Sequence, residues 1–290
     1  MLQEIENLIK DFDGKVSIYA CDEKHHEIAI DDAAIVETAS CIKVGILIEY
    51  YRQIKEGIKS RDDILTYDDE KYYVEDGSGI IQFLEKDLQL TSKNMAILMI
   101  IVSDNIATNM MIDYLKKDNI NQTLQALGLK HTKLIADILD FDIYPQIGTT
   151  TAKEYATIFK MLLNEEILTP PLCQEIIEIL KTQTKNELLI HQLPLNDLDT
   201  IGKQDAILSY IASKSGGLGD KTRKIPNCRN DGGIISTKYG NYIVSIFIHH
   251  FKDEHWHIHN EGMQIGTKIS SILYHNFIDN KGGFMDTLKK

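Results

Sequence analysis

The sequence predicts an α/β (α+β) fold, in which an antiparallel sheet with flanking helices carries an inserted all-α lobe. Strand-like alternation of apolar and polar residues occurs at residues 16–30 and returns after Tyr210, whereas the periodicity from Lys43 to about Thr182 is helical. No repeat, low-complexity tract or linker separates these regions. A helical block inserted between sheet segments therefore predicts two lobes with a cleft between them.

We expect a single bilobed domain over residues 1–290. The strand-forming ends of the chain would build the α/β lobe, at about residues 1–39 and 200–290. The helical block would build the all-α lobe, at about residues 40–199.

The first elements follow from the pattern of apolar residues. Residues 1–10 form an amphipathic pattern with early acidic residues, which is typical of a helix. Residues 16–21 and 26–30 alternate like two short strands joined by a charged turn. The run over residues 44–51 continues towards Gly57, and a glycine commonly ends a helix.

The later elements are predicted in the same way. Residues 96–102 are apolar on every side, which indicates a helix buried within the helical lobe. Residues 151–154 (Thr-Ala-Lys-Glu) form a capping box ahead of a helix that reaches Leu163. Residues 238–241 predict a hairpin turn. Three strands and a closing helix complete the chain, at residues 210–214, 232–238, 241–250 and 261–277.

The composition excludes two classes of partner. Asp and Glu number 43 and Lys and Arg 31, which gives a net charge of −12 and no broad basic footprint for nucleic acid. No apolar run reaches the roughly 18 residues of a membrane-spanning helix. We expect a protein without nucleic-acid partners or membrane spans, and a monomer.

The amino terminus and the cysteines bear on the cellular compartment. The first residues lack the basic start and continuous apolar stretch of a secretory signal. The four cysteines are far apart and form no CxxC pair, as is typical of reduced thiols. We expect a cytoplasmic protein for the sequence as written. A secreted or periplasmic location, with two disulfides, is the alternative if the sequence is a trimmed mature form.

The first motif that carries chemistry is Ser40-Cys-Ile-Lys43, at the start of a long apolar helix. A spacing of three places both side chains on one helical face. A buried, neutral lysine can accept the proton that makes a serine nucleophilic. At a helix amino terminus the Ser40 N–H is also free to bind an oxyanion. The structural alternative is Ser40 as a helix N-cap.

The second motif is Ser103-Asp104-Asn105, directly after the apolar helix. A polar triplet at this position is unusual because buried polar groups need partners. One interpretation is a serine that relays a proton to a leaving group and an asparagine whose amide binds substrate. The other is a turn between helices that Asp104 or Asn105 caps.

The third motif, Lys214-Ser-Gly-Gly217, ends a strand-like run. Lys214 and Ser215 at a strand edge can bind a carboxylate. Gly216 would let substrate approach the backbone, and the Gly217 N–H can act as a second oxyanion donor. A glycine-rich exit from a strand is the alternative.

Together and in this order, the three motifs resemble those of class A β-lactamases and penicillin-binding proteins, with Ser215 in place of the usual threonine. Residues 77–80, 98–109 and 148–151 also resemble that family, and the likeness extends from about Ile18 to Phe277. It implies a β-lactamase/transpeptidase-like fold.

The resemblance also implies roles for the motif residues. Ser40 would be the acylated nucleophile and Lys43 its general base. Ser103 would pass the proton to the leaving nitrogen, tuned by Lys214. The substrate would be held by Asn105, Ser215 and Gly216, and the oxyanion by the N–H groups of Ser40 and Gly217. No cofactor or metal ion is expected in this chemistry.

The sequence departs from the family pattern in the interval 128–148, which contains no glutamate to activate a deacylating water. Its carboxylates are Asp137, Asp140 and Asp142, and Asp140 is the candidate for that role. The alternative is that these aspartates pin the loop through caps and turns.

Two further stretches need interpretation. Residues 218–230 resemble an insertion, from which Arg229 or Arg223 would bind a substrate carboxylate, unless the stretch is a solvated loop. Five histidines lie between His249 and His259, and His257 and His259 could chelate a metal ion. No zinc-type spacing accompanies them, so a polar loop before the last helix is expected.

The function implied is a serine hydrolase that acts through an acyl-enzyme on β-lactam amides, as in β-lactam catabolism and antibiotic resistance. The alternative is a D,D-peptidase-like or esterase-like enzyme, or a slowly deacylating penicillin-binding protein, because the loop glutamate is missing. The partner in either case is a small-molecule β-lactam, amide or ester.

Overall fold

A computed structural model describes residues 1–75, 77–140, 142–185, 187–194 and 206–284. The expected boundary between the two lobes, at residues 199 and 200, lies outside the described residues.

The described chain forms eleven strands and nine α-helices. The strands are β1 (Lys15–Asp22), β2 (Glu27–Ile30), β3 (Val36–Glu37), β4 (Ile64–Thr66), β5 (Gln89–Thr91), β6 (Lys133–Leu134), β7 (Gly148–Thr150), β8 (Leu208–Ser213), β9 (Gly216–Asp220), β10 (Ile225–Thr237) and β11 (Gly240–His249). The helices are α1 (Leu2–Ile9), α2 (Lys43–Lys55), α3 (Asp69–Tyr72), α4 (Ser92–Ile101), α5 (Asn105–Leu115), α6 (Lys117–Ala126), α7 (Ala152–Leu163), α8 (Pro170–Lys181) and α9 (Glu261–Asp279). Short 3₁₀ turns occur at Ala39–Ile42 and Ile81–Phe83.

The main sheet is antiparallel and has the strand order β2-β1-β11-β10-β8, with β9 also paired to β10. Because side chains alternate along a strand, each face of the sheet has its own core. Ile18 and Ile246 belong to the core shared with α1 and α9, whereas Tyr19 and Phe247 belong to the core shared with the other helices. The predicted α/β (α+β) fold, an antiparallel sheet with flanking helices, is confirmed.

The ends of two helices test the predictions made from local sequence patterns. Gly57 follows α2 with φ +70°, as the glycine stop predicts. Thr151 caps α7 by accepting the Glu154 N–H at 3.1 Å. The Glu154 carboxylate, however, accepts from the backbone of Lys130 and His131, so only half of the capping box forms.

The central stretch also contains strands that its helical periodicity did not predict. β4 to β7 are two or three residues long and belong to two small antiparallel sheets, β4-β5 and β3-β7-β6. The second of these sheets pairs β3 with β7, next to the first motif.

The stretch over residues 218–230 is not a solvated loop. It forms most of β9 and the first half of β10, and β10 begins at Ile225 and not at Gly232. Glycine and proline weaken the strand pattern here. The glycines are tolerated because β9 lies at the edge of the sheet, and Pro226 because it lies at a register shift of β10 between Ile225 and Cys228.

Two further features bear on the sequence expectations. The four cysteines are all buried, and none forms a disulfide. Within the described residues, no helix combines the length and apolar character needed to span a membrane.

Candidate active site

The first motif forms a 3₁₀ turn that leads directly into α2, so Ser40 lies on the turn and Lys43 is the first residue of the helix. Ser40 is not the N-cap of α2, because Ile42 holds that position. Within the described part of the chain, the Ser40 hydroxyl makes no hydrogen bond. It faces a cavity of about 210 Å³, the Ser40 cavity.

The Ser40 cavity lies between the helical block and the edge of the main sheet. Its walls come from the nucleophile turn, the segment before the Ile81–Phe83 turn, the start of α5, the segment before β7, the β9–β10 hairpin and the loop before α9. The lining residues are Ser40, Ser78, Asn105, Ile147, Gly217, Leu218, Gly219, Asp220, Arg223, Ile225 and Trp256.

Lys43 is fully buried beneath this cavity. Its Nζ donates to the Ser103 carbonyl at 2.8 Å, and it lies 3.1 Å from Ser103 Oγ and 2.8 Å from Asn105 Oδ1. Burial, and secondly the positive charge of Lys214, lower the pKa of Lys43 well below its ordinary value. A neutral amine with a lone pair is the state that can take a serine proton.

Lys214 approaches the same serine from the sheet. It follows β8 and is fully buried, with its Nζ 3.2 Å from Ser103 Oγ, 3.3 Å from Gln183 Oε1 and 2.8 Å from the Ser215 carbonyl. Burial lowers the pKa of Lys214 to about 8. The Ser103 hydroxyl therefore lies between two buried amines, in a position to exchange protons with either.

The second motif both caps a helix and contributes to the wall of the cavity. Asp104 is the N-cap of α5 and accepts the Ala107 N–H at 2.9 Å, while its other oxygen accepts from Ile80 and Ile81. Asn105 lines the Ser40 cavity. The cap thus fixes the segment that presents Ser103 and Asn105.

The third motif differs from expectation at two positions. The Ser215 hydroxyl donates to the Lys185 carbonyl, and Ser215 does not line the Ser40 cavity. A side chain at Gly216 would place its Cβ 2.6 Å from the Ser40 nitrogen. A glycine is therefore required at position 216 because β9 packs closely against the nucleophile turn, and not because substrate approaches its backbone. Gly217 does line the cavity.

Arg229 is not placed to bind a substrate carboxylate. It is buried, its Nη1 donates to the carbonyls of Leu218 and Cys228, and its guanidinium lies 3.7 Å from the centre of the Trp256 ring. Arg229 does not line the Ser40 cavity.

The alternative arginine, Arg223, does line the cavity. Its Nε lies 2.7 Å from Asp142 Oδ1 and its Nη1 lies 2.9 Å from Asp220 Oδ2. It therefore ties the β9–β10 hairpin to the loop before β7, at the mouth of the cavity.

The loop aspartates have structural partners and lie outside the Ser40 cavity. Asp137 pairs with Lys117 at 2.7 Å, and Asp140 Oδ1 accepts the N–H groups of Asp142 and Ile143. Asp140 lines a separate cavity. A deacylation role for Asp140 does not fit this position, whereas the alternative, aspartates that pin the loop, fits these contacts.

Sequence reasoning missed Glu37, which precedes the nucleophile turn. Its Oε1 accepts N–H groups from Ala39 at 2.8 Å, Ile147 at 3.1 Å and Gly148 at 3.4 Å. Its other oxygen is buried without a partner, and burial raises the pKa of Glu37 to about 7. Ala39 has φ +46°, a strained conformation that this bond supports.

Three other site residues were also missed. Gln183 accepts from Lys214 and donates to Ser213, and no local pattern distinguishes it from other residues after a helix. Ser78 and Trp256 line the cavity. The likeness of residues 77–80 to the family could have indicated Ser78. Trp256 could have been noticed because it is the single tryptophan of the chain.

Comparisons with known proteins agree with this geometry. A family model described as the beta-lactamase enzyme family matches residues 1–277. No curated protein sequence matches the chain.

Solved structures share the fold over nearly the whole chain. A beta-lactamase from Sphaerobacter thermophilus is 20% identical, with a TM-score of 0.76, over 93% of this chain and 94% of that one. A structure of PBP-A is 24% identical, with a TM-score of 0.78, over 96% of each chain. A PBP-A mutant described as an acyl-enzyme complex with penicillin G is 23% identical, with a TM-score of 0.76, over 94% of this chain and 96% of that one.

Proposed function

The chain belongs to the beta-lactamase enzyme family, and from that premise we propose that it is a serine hydrolase that opens β-lactam amides through an acyl-enzyme on Ser40. The observation that carries the proposal is the Ser103 hydroxyl, which lies 3.1 Å from one buried lysine and 3.2 Å from the other beneath the Ser40 cavity.

Acylation follows from these positions. Neutral Lys43 takes the proton of Ser40, and Oγ attacks the lactam carbonyl carbon. The carbonyl oxygen becomes an oxyanion, which the N–H groups of Ser40 and Gly217 stabilise. When the C–N bond breaks, the proton on Lys43 passes through Ser103 to the leaving nitrogen. The products of this step are the Ser40 ester and the opened ring.

Substrate binding uses the remaining cavity walls. Asn105 lies on one side of Ser40, and its Oδ1 is already held by Lys43. Arg223 is the cationic side chain among the described lining residues, and a substrate carboxylate would compete there with Asp142 and Asp220.

Deacylation is the slower step in this proposal. Among the described lining residues, Asp220 alone carries a carboxylate, and this carboxylate accepts a hydrogen bond from Arg223. No free carboxylate therefore faces Ser40 within the described cavity to activate a water. This favours a long-lived acyl-enzyme, as in a penicillin-binding protein or a D,D-peptidase-like or esterase-like enzyme, and the penicillin G acyl-enzyme of the PBP-A mutant supports that possibility.

We extend the proposal to the state of the protein in the cell. A net charge of −12 disfavours nucleic-acid partners. Four buried, unpaired thiols favour a reducing compartment, in line with a cytoplasmic protein. We also propose that the protein acts as a monomer.

Intact-protein mass spectrometry after mixing with penicillin G or a chromogenic cephalosporin tests the proposal. We expect an adduct of the mass of the lactam in the wild type and none in Ser40→Ala. Ser78→Ala, a second serine of the same cavity, is the matched control and should retain the adduct. Absence of both adduct and hydrolysis with lactams and activated esters, or an adduct that persists in Ser40→Ala, would overturn it.

A further inference from the structure

The loop between β11 and α9 gathers histidines outside the catalytic chemistry. Five of the ten histidines of the chain lie between His249 and His259. Within the described residues, one group of three side chains could hold a metal ion, namely Asp253, His255 and His257. One ligand atom from each lies within 4.8 Å of the other two.

The side chains of this group already converge. His255 Nδ1 lies 2.7 Å from Asp253 Oδ1, and the rings of His255 and His257 are stacked with their centres 5.4 Å apart. His257 Nδ1 accepts the His259 N–H at 3.0 Å, so that nitrogen carries a lone pair. A metal ion can take this lone pair, because the exposed N–H that it displaces can bond to water.

The backbone beneath the group is held in place. The Asn260 side chain caps α9 and donates to the carbonyls of Asp253 and His255. Asp253 Oδ2 accepts the Glu261 N–H, while the Glu261 carboxylate accepts the N–H groups of Lys252 and Asp253. A loop fixed in this way loses little conformational entropy when its side chains bind an ion.

We propose that Asp253, His255 and His257 form a site for a divalent transition-metal ion of the Zn²⁺ type. Two imidazoles and one carboxylate are ligands that Zn²⁺ accepts, and water can complete the coordination. The side chains lie near the surface, so the hydrated ion reaches them directly. The identification rests on the donors and their spacing and is independent of the proposed hydrolysis.

The site has a direct connection to the Ser40 cavity through Trp256, which lies between the two histidines in sequence and lines the cavity. Its ring lies over the Arg229 guanidinium, and a Cβ on Gly217 would be 3.0 Å from that ring. Arg229 Nη2 also donates to the His255 carbonyl at 3.3 Å. An ion bound by the flanking histidines therefore fixes the wall beside Gly217. This second part of the inference rests on the proposed function.

Titration of the purified chain with ZnCl₂, followed by calorimetry and by the fluorescence of Trp256, tests the metal site. Trp256 is the single tryptophan of the chain, so the signal reports on this loop alone. We expect saturable binding of one Zn²⁺ ion, lost in both His255→Ala and His257→Ala and retained in the matched control His259→Ala. No binding in the wild type, or loss in His259→Ala with retention in His255→Ala, would overturn the assignment.

The rate of acylation by penicillin G, with and without Zn²⁺, tests the connection. An ion held by the histidines on both sides of Trp256 restricts the adjustment of this ring to a substrate beside Gly217, so we expect at least a ~2-fold slower acylation in the wild type with Zn²⁺ and no Zn²⁺ effect in His255→Ala. Binding without an effect on the rate would refute the connection and leave the metal site standing. A chain that binds Zn²⁺ and forms no acyl-enzyme would refute only the proposed function.

Discussion

Two regions beside Ser40 differ in how their charged groups are held. Lys43 and Lys214 are fully buried and converge on Ser103, each with several acceptors within 3.3 Å. The loop that includes Asp137, Asp140 and Asp142 instead uses its carboxylates for turns and for pairs at the surface. The lysines are therefore preorganised for proton transfer, whereas the loop carboxylates serve the fold of the loop.

This difference corresponds to the two steps of a hydrolytic cycle, acylation and deacylation. The buried region contains the groups to which we assign acylation, a base, a relay and oxyanion donors. Among the described residues of the exposed region, no carboxylate lines the Ser40 cavity, where it could activate a deacylating water. Exposed ion pairs contribute little to stability, so the loop is free to change without loss of the fold. The following predictions test this contrast, beginning with the largest expected effect.

Replacement of the buried base should have the largest effect. In Lys43→Met the side chain remains apolar and of similar length, but it cannot take the Ser40 proton. We expect the acylation rate constant to fall by about 10²- to 10⁴-fold, the range of general base catalysis. Stopped-flow acylation by a chromogenic cephalosporin measures it, with exposed Lys185→Met as the matched control and thermal unfolding to verify the fold. A loss below about ten-fold would assign the base to another group.

The pH dependence of acylation should report Lys214. Its pKa is lowered to about 8, so it is cationic below pH 8 and loses its charge above that pH. If the cation orients Ser103 and the substrate, acylation should fall about ten-fold per pH unit above pH 8. In Lys214→Arg the falling limb should move beyond the measured range, because arginine stays charged. A limb that stays at pH 8 in a folded Lys214→Arg variant would exclude Lys214 as its origin.

The fold could be predicted from sequence where one local pattern decides the element. Apolar periodicity located the sheet segments and the long helices, and Gly57 marked the end of α2. The β9–β10 hairpin was missed because Gly216 and Pro226 weaken its local strand pattern, although the two strands are neighbours in sequence. Glu154 shows the same limit, since its carboxylate binds the turn at residues 130–132 and not its own helix end.

The site could be predicted where a motif fixes residue type and spacing, and not where strand register decides orientation. Ser40, Lys43 and Ser103 belong to such motifs. Arg229 and Arg223 were equivalent in sequence, but Arg223 lies in the turn between β9 and β10 at the cavity, whereas Arg229 lies within β10 with its guanidinium against Trp256. Gln183 carries no local signal, because its role depends on Lys214 arriving from β8.

Stability should depend on pH through Glu37. Burial raises its pKa from 4.5 to about 7, so between these values the folded chain keeps a proton that the unfolded chain loses. The contribution of Glu37 to stability therefore falls as pH rises from 4.5 through 7, by up to about 1.4 kcal/mol per pH unit. Asp231, with its pKa also raised to about 7, adds a slope of the same sign. Buried His249, with its pKa lowered from 6.5 to about 3, gives a slope of the opposite sign between these values.

In Glu37→Gln the contribution of Glu37 to the pH dependence of stability is lost, whereas that of Asp231 remains. Urea unfolding between pH 5 and 7 should therefore show a free energy of unfolding that falls less, or rises more, with pH than in the wild type. The amide oxygen can still accept the Ala39 N–H, so the nucleophile turn should persist and the variant should fold. An unchanged slope would mean that the Glu37 carboxyl is ionised in the folded chain over this range.

The smallest effect is expected from Asp140→Asn, and it tests the exposed half of the contrast. Asp140 Oδ1 accepts the N–H groups of Asp142 and Ile143, and an asparagine oxygen can accept the same two bonds. The substitution removes the negative charge that a general base requires while it keeps the turn. We expect the decay of the acyl-enzyme, followed by intact mass, to change by less than about two-fold, because general base catalysis is worth at least about 10²-fold where it operates. A ten-fold longer-lived acyl-enzyme would mean that the loop moves Asp140 into the Ser40 cavity after acylation, and that the deacylating half of the site is assembled only on the intermediate.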